Sequence, residues 1–134
     1  MALIYSAVKI LLKHNNKYLV IKQNFKGTVY YDLPGGRIEY GEDPYETLHR
    51  EIKEELGIEV SIKQCLGMYH FIRTLTDQGQ VNCTVFVCTP SSLDIDLTHN
   101  PVDDENITEY FWVEKEKLPT FFENKGLLNL FHLL

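Results

Sequence analysis

Arginine is scarce in this 134-residue chain: Arg37, Arg50 and Arg73 are the only ones, and with 13 basic against 19 acidic side chains the net charge is -6. A nucleic-acid duplex is held by clustered Lys and Arg, so this balance excludes one as the expected partner. A small anionic ligand stays open if a cation mediates. Long hydrophobic runs are also missing: nothing approaches the ~20 apolar residues that span a bilayer. The opening "MALIYSAVKI" has no basic n-region and meets Lys9 early, so no leader and no membrane partner are expected, and the cytoplasm is the expected location. Cysteine is sparse and odd in number. Cys83 and Cys88 are five apart in a strand-like run, which places them on opposite faces of a sheet, and Cys65 stands alone. Free buried thiols in a reducing compartment fit better than a disulfide or a metal pair. Repeats, low-complexity tracts and linkers are absent, and 44% hydrophobic residues over this length suit one domain spanning residues 1–134.

What is present reads as a mixed α and β chain. "YSAVKILL" (5–12) and "KYLVIKQ" (17–23) are β-rich runs around "KHNN", whose His14, Asn15 and Asn16 suit a hairpin turn. A loop is expected through "NFKGTVY", then a break at Pro34, Gly35 and Gly36, then a short extended "RIEY". Asp43, Pro44 and Glu46 form an N-cap, a first-turn proline and a capping-box partner, and Gly57 stops the helix they open. Strands are expected at 59–72, 80–89 and 109–113. Thr120 and Glu123 suggest a second capping box before a C-terminal helix rich in Leu and Phe.

Residues 36–58, "GRIEYGEDPYETLHREIKEELGI", concentrate acid. At ~100° per residue, Tyr45, Leu48, Ile52 and Leu56 fall within a sector of about 80°, the face to be buried. Glu51, Glu54 and Glu55 share a different sector at i, i+3 and i+4 spacing, where like charges repel. A Glu-rich helix is ordinarily a solvated acidic face. Here, however, a Pro-Gly-Gly turn precedes it, letting backbone approach a ligand closely, and only Arg50 and Lys53 compensate locally. A hard divalent cation converts such repulsion into coordination, and oxygen donors without His or Cys point to Mg²⁺ or Mn²⁺.

Gly36, Glu42, Arg50-Glu51-Ile52, Glu54-Glu55 and Gly57-Ile58 resemble the signature of the Nudix hydrolases at every specified position. The resemblance implies an α+β fold, an α/β/α sandwich around a mixed β-sheet, and hydrolysis of a diphosphate linkage in a nucleoside diphosphate joined to another group. It implies metal ligation by Glu54 and Glu55, completed by the Gly35 carbonyl, with Glu51 as a further ligand or as the base. It also assigns Arg50 to orienting these glutamates, with Glu42 as its partner across the loop. Similar enzymes often carry a phosphate-reaching base after the glycines, here Arg37, whose alternative is a solvent-facing strand arginine. They often recruit one more glutamate shortly before a Trp-bearing strand. In "VDDENITEYFWV" the position favours Glu105, in an expected loop, over Asp103, Asp104 and Glu109.

Several residues carry competing readings. Phe25, Tyr30, Tyr31 and Phe71 are candidates for stacking on a base, though strand aromatics are more often core. His49 and His70 carry no mechanism. Asp94, Asp96, Thr98 and Glu105 imitate a calcium loop, but His99 stands where glycine is required. The family's NADH-, coenzyme A-, ADP-ribose- and dinucleoside-polyphosphate markers are missing. By elimination the expected substrate is a nucleoside or deoxynucleoside triphosphate, cleaved to monophosphate and pyrophosphate. The alternatives are ADP-ribose or a nucleotide sugar, or a catalytically silent nucleotide sensor. A homodimer is left open.

Overall fold

The computed structural model describes residues 2–74, 78–99 and 105–134, with only the backbone of His99 and Glu105. β1 (Ile4–His14) and β2 (Lys17–Phe25) form the expected hairpin, with Lys13 opposite Tyr18. Its turn residues Asn15 and Asn16 both take positive φ, 51° and 61°, as a tight primed turn requires and asparagine tolerates. Where a loop is expected, a second hairpin follows. Lys26 and Gly27, at φ 49° and 86°, turn the chain into β3 (Thr28–Asp32), antiparallel to β2. "TVYY" has the β-branched and aromatic content of a strand, and Lys-Gly is a weaker turn signal than Asn-Gly.

β4 (Gly35–Arg37) falls on the glycines themselves rather than on "RIEY", pairing antiparallel with β1 as Ala7–Arg37, Val8–Gly36 and Lys9–Gly35. Helix α1 (Pro44–Leu56) follows, and Gly57 ends it at φ 70°. β5 (Val60–Ile72) and β6 (Gln80–Pro90) are antiparallel, and β6 runs parallel to β1 from Ile4–Gln80 to Leu12–Cys88. β7 (Glu105–Glu114) pairs with β2 from Lys17–Glu114 to Phe25–Glu105. It begins four residues earlier than expected, so Glu105 is in a strand and not in a loop. Short 3-10 helices cover Leu97–His99 and Lys115–Phe121 before α2 (Lys125–Phe131). Thr120 is not a cap: its hydroxyl donates to the Lys117 carbonyl inside the 3-10 turn at 2.6 Å, while Asn124 caps α2 by accepting from the Leu127 N–H at 3.1 Å.

The mixed sheet runs β3-β2-β1-β6-β5, with β4 added to β1 and β7 to β2. β1 is apolar on both faces because both are covered. Ala7 and Leu11 join a core with Leu118 and with Leu127, Leu130 and Phe131 of α2; Val8, Ile10 and Leu12 join another with Leu48, Ile52 and Leu56 of α1. The result is the expected α/β/α sandwich. Cys83 and Cys88 fall in these opposite cores, both unpaired, whereas Cys65 is exposed rather than buried. Tyr45 also departs from expectation. It lies in the first turn of α1, 53% exposed, with its ring 5.7 Å from that of Phe86. No helix among the described residues is long and apolar enough to cross a membrane.

Candidate active site

Two glycines bring β4 against α1. A Cβ on Gly35, at φ 146°, would collide with the Val8 carbonyl oxygen, and one on Gly36 would occupy the place of the Glu51 carboxylate. The alternation of a strand then aims the backbone. The Pro34 carbonyl accepts from Ile10 and the Ile38 N–H donates to Ser6, both toward β1. Gly35 and Arg37 face the other way: the Gly35 N–H donates to Glu55 Oε1 at 2.7 Å, and the Arg37 carbonyl accepts from Arg50 at 3.3 Å. The Gly35 carbonyl, on the same residue of the strand, shares that side.

Arg50 organises the acidic edge. Its Nε and Nη2 donate to the two oxygens of Glu42 at 2.6 and 3.0 Å, a bidentate pair across the loop, and its Nη1 donates to Glu51 at 2.9 Å and Glu54 at 3.3 Å. Hydrogen bonds from Arg50 and from the Thr47 hydroxyl lower the Glu42 carboxyl to about 2. Burial pushes Glu51 up to about 7, against the pull of Arg50 and with the repulsion of Glu54. Burial, then the charge of Glu51, hold the Glu55 carboxyl well above the usual range, and the Gly35 N–H and Lys9 only partly offset this. Glu55 is 5% exposed, an acid in a place where a bare carboxylate is costly. Among the described residues no three carboxylates already converge on one point. Glu51 and Glu54 lie against Arg50, and Glu55 lies against Gly35. The donor set, three carboxylates and a backbone carbonyl on adjacent elements, is nonetheless the hard-oxygen chemistry that Mg²⁺ and Mn²⁺ take.

This edge opens on a cleft of about 840 Å³ whose lining includes Arg37, Glu51, Glu54 and Glu55. Tyr5, Ala7 and Lys9 enter it from alternate positions of β1. At one end the Arg37 and Arg73 guanidiniums lie over the ring of Tyr5, 4.4 and 5.5 Å from its centroid. At the other, the Lys9 ammonium donates to Asp32 Oδ2 at 2.8 Å, and the Tyr30 hydroxyl donates to Gln23 Oε1 at 2.7 Å. Burial is the largest single influence and opposes the Lys9 charge, but Asp32, Tyr69 and Cys83 together outweigh it and raise the lysine well above its ordinary value.

Phe25, Tyr30 and Phe71 line the cleft, whereas Tyr31 packs edge-on against Phe111 and Phe121 on the α2 side. Glu105 pairs in register with Phe25, which sets its backbone beside the cleft; Asp103 and Asp104 lie outside the described residues. His49 and His70 are exposed. Asp96 accepts from the N–H and hydroxyl of Thr98 at 2.9 and 2.6 Å, a local turn. Sequence reasoning missed Lys9, Gln23, Asp32, Tyr5 and Arg73. One signal was available: Lys9 interrupts the apolar run "SAVKILL", and a charge in a buried strand needs a partner.

The NUDIX domain model matches residues 4–133. An ADP-ribose pyrophosphatase from Methanocaldococcus jannaschii is 44% identical over 66 residues, covering 47% of this chain but only 38% of that protein. An 8-oxo-dGTP diphosphatase from Proteus vulgaris is 27% identical over 125 residues, covering 91% of this chain and 84% of that protein. Among solved structures, the MutT protein from Methanosarcina mazei superposes with a TM-score of 0.81 at 23% identity, covering 98% of this chain and 93% of its own, a likeness of fold.

Proposed function

The chain belongs to the Nudix family, and from that premise we propose that it is a metal-dependent hydrolase that cleaves nucleoside or deoxynucleoside triphosphates, releasing the monophosphate and pyrophosphate. Carboxylates cannot hold a diphosphate directly, so Glu54, Glu55, Glu51 and the Gly35 carbonyl are assigned to Mg²⁺ or Mn²⁺. When bound, the ion neutralises phosphate oxygens and makes water more acidic. The chain's own groups do the rest. Arg50 fixes the rotamers of Glu51 and Glu54 and ties them through Glu42 to the loop. Glu51, beside Gly36, is assigned as the base that takes a proton from the attacking water; Glu105, in β7, is the alternative.

The observation that carries the triphosphate reading is the pairing of Arg37 and Arg73 around Tyr5 at one end of the cleft. Two guanidiniums suit the extra charge of terminal phosphates better than a neutral sugar. The similarity to an ADP-ribose pyrophosphatase keeps ADP-ribose as the rival substrate. Product analysis decides, with canonical and oxidised nucleoside triphosphates, ADP-ribose, nucleotide sugars and dinucleoside polyphosphates, each with Mg²⁺, with Mn²⁺ and with excess chelator. Pyrophosphate is expected from a triphosphate and is lost with chelator. AMP from ADP-ribose, with no pyrophosphate from any triphosphate, assigns the rival; nucleotide binding without turnover assigns a sensor.

A further inference from the structure

The end of the cleft opposite the arginines is polar, nearly buried and close to neutral. Lys9 is 8% exposed and Gln23 6%, yet both line the cleft. Neither uses its full hydrogen-bonding capacity. An ammonium has three N–H donors, and Lys9 makes one side-chain bond among the described residues, to Asp32. The Gln23 carbonyl oxygen accepts from Tyr30, which fixes the amide and leaves its NH₂ without a partner among the described residues. Asp32 accepts from Lys9 through Oδ2 and from the Leu33 N–H through Oδ1, and each oxygen keeps a second lone pair. Its side chain is 23% exposed. Gln23 sits opposite Tyr30, two residues along the β2–β3 hairpin from Asp32, so the three side chains share one face. No buried side-chain nitrogen or oxygen among the described residues lacks a partner, so this spare capacity faces the open cleft, where a ligand or water can take it.

A nucleotide has an anionic end and a neutral, aromatic end. The cleft has a cationic end, this polar recess with Phe25 and Tyr30 in its lining, and an acidic wall for metal that adjoins the recess at Gly35 and Glu55, Gly35 being the register partner of Lys9. Along β1, Tyr5 and Lys9 are four residues apart, about 13 Å in an extended strand. That is room for phosphates and a sugar.

We propose that Gln23, Lys9 and Asp32 read the edge of the nucleobase, with donors from Gln23 and Lys9 to a ring carbonyl oxygen and Asp32 accepting from the adjacent ring N–H. The recess therefore selects bases that present a carbonyl beside a ring N–H, as guanine and uracil do and adenine does not. Tyr30 is a positioning residue, since its hydroxyl decides which way the Gln23 amide points. The inference rests on the reading of the cleft as a nucleotide site and adds to it the class of base.

The test is binding, so that it stands apart from catalysis. Dissociation constants for GMP, UMP and AMP are measured by calorimetry with Mg²⁺ present, on the wild-type chain, Gln23→Glu and Tyr30→Phe, each checked for folding by circular dichroism. GMP and UMP should bind wild type about tenfold or more tighter than AMP. Gln23→Glu exchanges a donor for an acceptor at nearly constant shape and should narrow or invert that ratio. Tyr30→Phe should weaken it partially, and it carries the test alone if Gln23→Glu does not fold. Equal affinities for GMP and AMP in wild type, no binding of any monophosphate, or an unchanged ratio in the folded variants overturns the proposal. Failure of the hydrolysis reading looks different: the binding preference is intact and no triphosphate releases pyrophosphate.

Discussion

Glu55 is the acidic residue on α1 most enclosed by protein, and its exchange for glutamine isolates charge from shape. The amide oxygen can still accept from the Gly35 N–H, so the β4–α1 contact survives. Turnover should fall by about a hundredfold or more in Glu55→Gln and in Glu54→Gln, because charge that would hold the cation at the reacting diphosphate is gone. The metal-free variant should melt no lower than wild type, since a buried repulsion has been relieved. Steady-state rates on the best triphosphate, with thermal melts with and without Mg²⁺, check both halves; unchanged turnover in both variants removes the carboxylates from the site. Arg37 has a different signature. If it grips phosphate equally before and during reaction, Arg37→Ala raises KM with kcat nearly unchanged, and Arg37→Lys recovers only part, having lost the planar fork and its stacking on Tyr5. Identical constants for Arg37→Ala and wild type would return it to the surface. These residues were legible because the chain concentrates them between Gly35 and Leu56. Gln23 and Asp32 were not, and Lys9 showed only as a charge in an apolar run, because the three come from three strands and meet only once the hairpins have formed.

The α1 element is held at its start by groups that the sequence largely announces. Asp43 accepts from the Tyr45 N–H at 2.7 Å, and Glu46 makes no return bond among the described residues, so the helix starts on a simple N-cap and not on a capping box. Asp43→Ala should cost about 1 kcal/mol in denaturant unfolding. Glu42 adds a pH-dependent clamp. Its carboxyl lies at about 2 in the folded chain against an ordinary 4.5, so between those values the unfolded state binds more protons. The clamp's contribution is therefore present above pH 4.5 and lost as the pH falls toward 2. Glu42→Gln should flatten stability across that window, measured by urea midpoints at successive pH values; an acid limb as steep as wild type's would show that Arg50 gains nothing from the charge. Elements were readable where one signal dominated, as with Asn15-Asn16 or Asp43-Pro44. They were misread where a weaker turn, Lys26-Gly27, or an alternative cap, Asn124 in place of Thr120, decided the local geometry.

In the whole molecule the sheet separates two cores, and the site depends on them unequally. The order of strands was beyond the sequence: β1 lies between β4 and β6 over Ala7, Val8 and Lys9, and nothing local in "SAVKILL" says which distant segments will pair with it. That placement fixes α1 against the Val8–Ile10–Leu12 face, so the carboxylates on its cleft edge are positioned by Leu48, Ile52 and Leu56 beneath them. The α2 core, built on Leu118, Leu127 and Phe131, supports the other face; of its buried members only Ala7 and Val81, on β1 and β6, reach the cleft lining, and no residue of α2 does. Ile52→Ala and Leu127→Ala each empty a site that is at most 2% exposed, and each should cost ~2–5 kcal/mol, within the ~5–15 kcal/mol that a domain has. Their catalytic consequences should diverge. A cavity under α1 lets the helix settle, and a displacement of about 1 Å at a reacting centre is worth up to ~100-fold. At a temperature where both variants remain folded, Ile52→Ala should lower kcat/KM at least about tenfold, while Leu127→Ala stays within about twofold of wild type. Urea midpoints establish equal damage to stability, and rates measured on the same samples separate positioning from folding. Equal losses of activity in the two variants would mean that the sandwich transmits strain across the sheet, and that the catalytic edge is not carried by the α1 core alone.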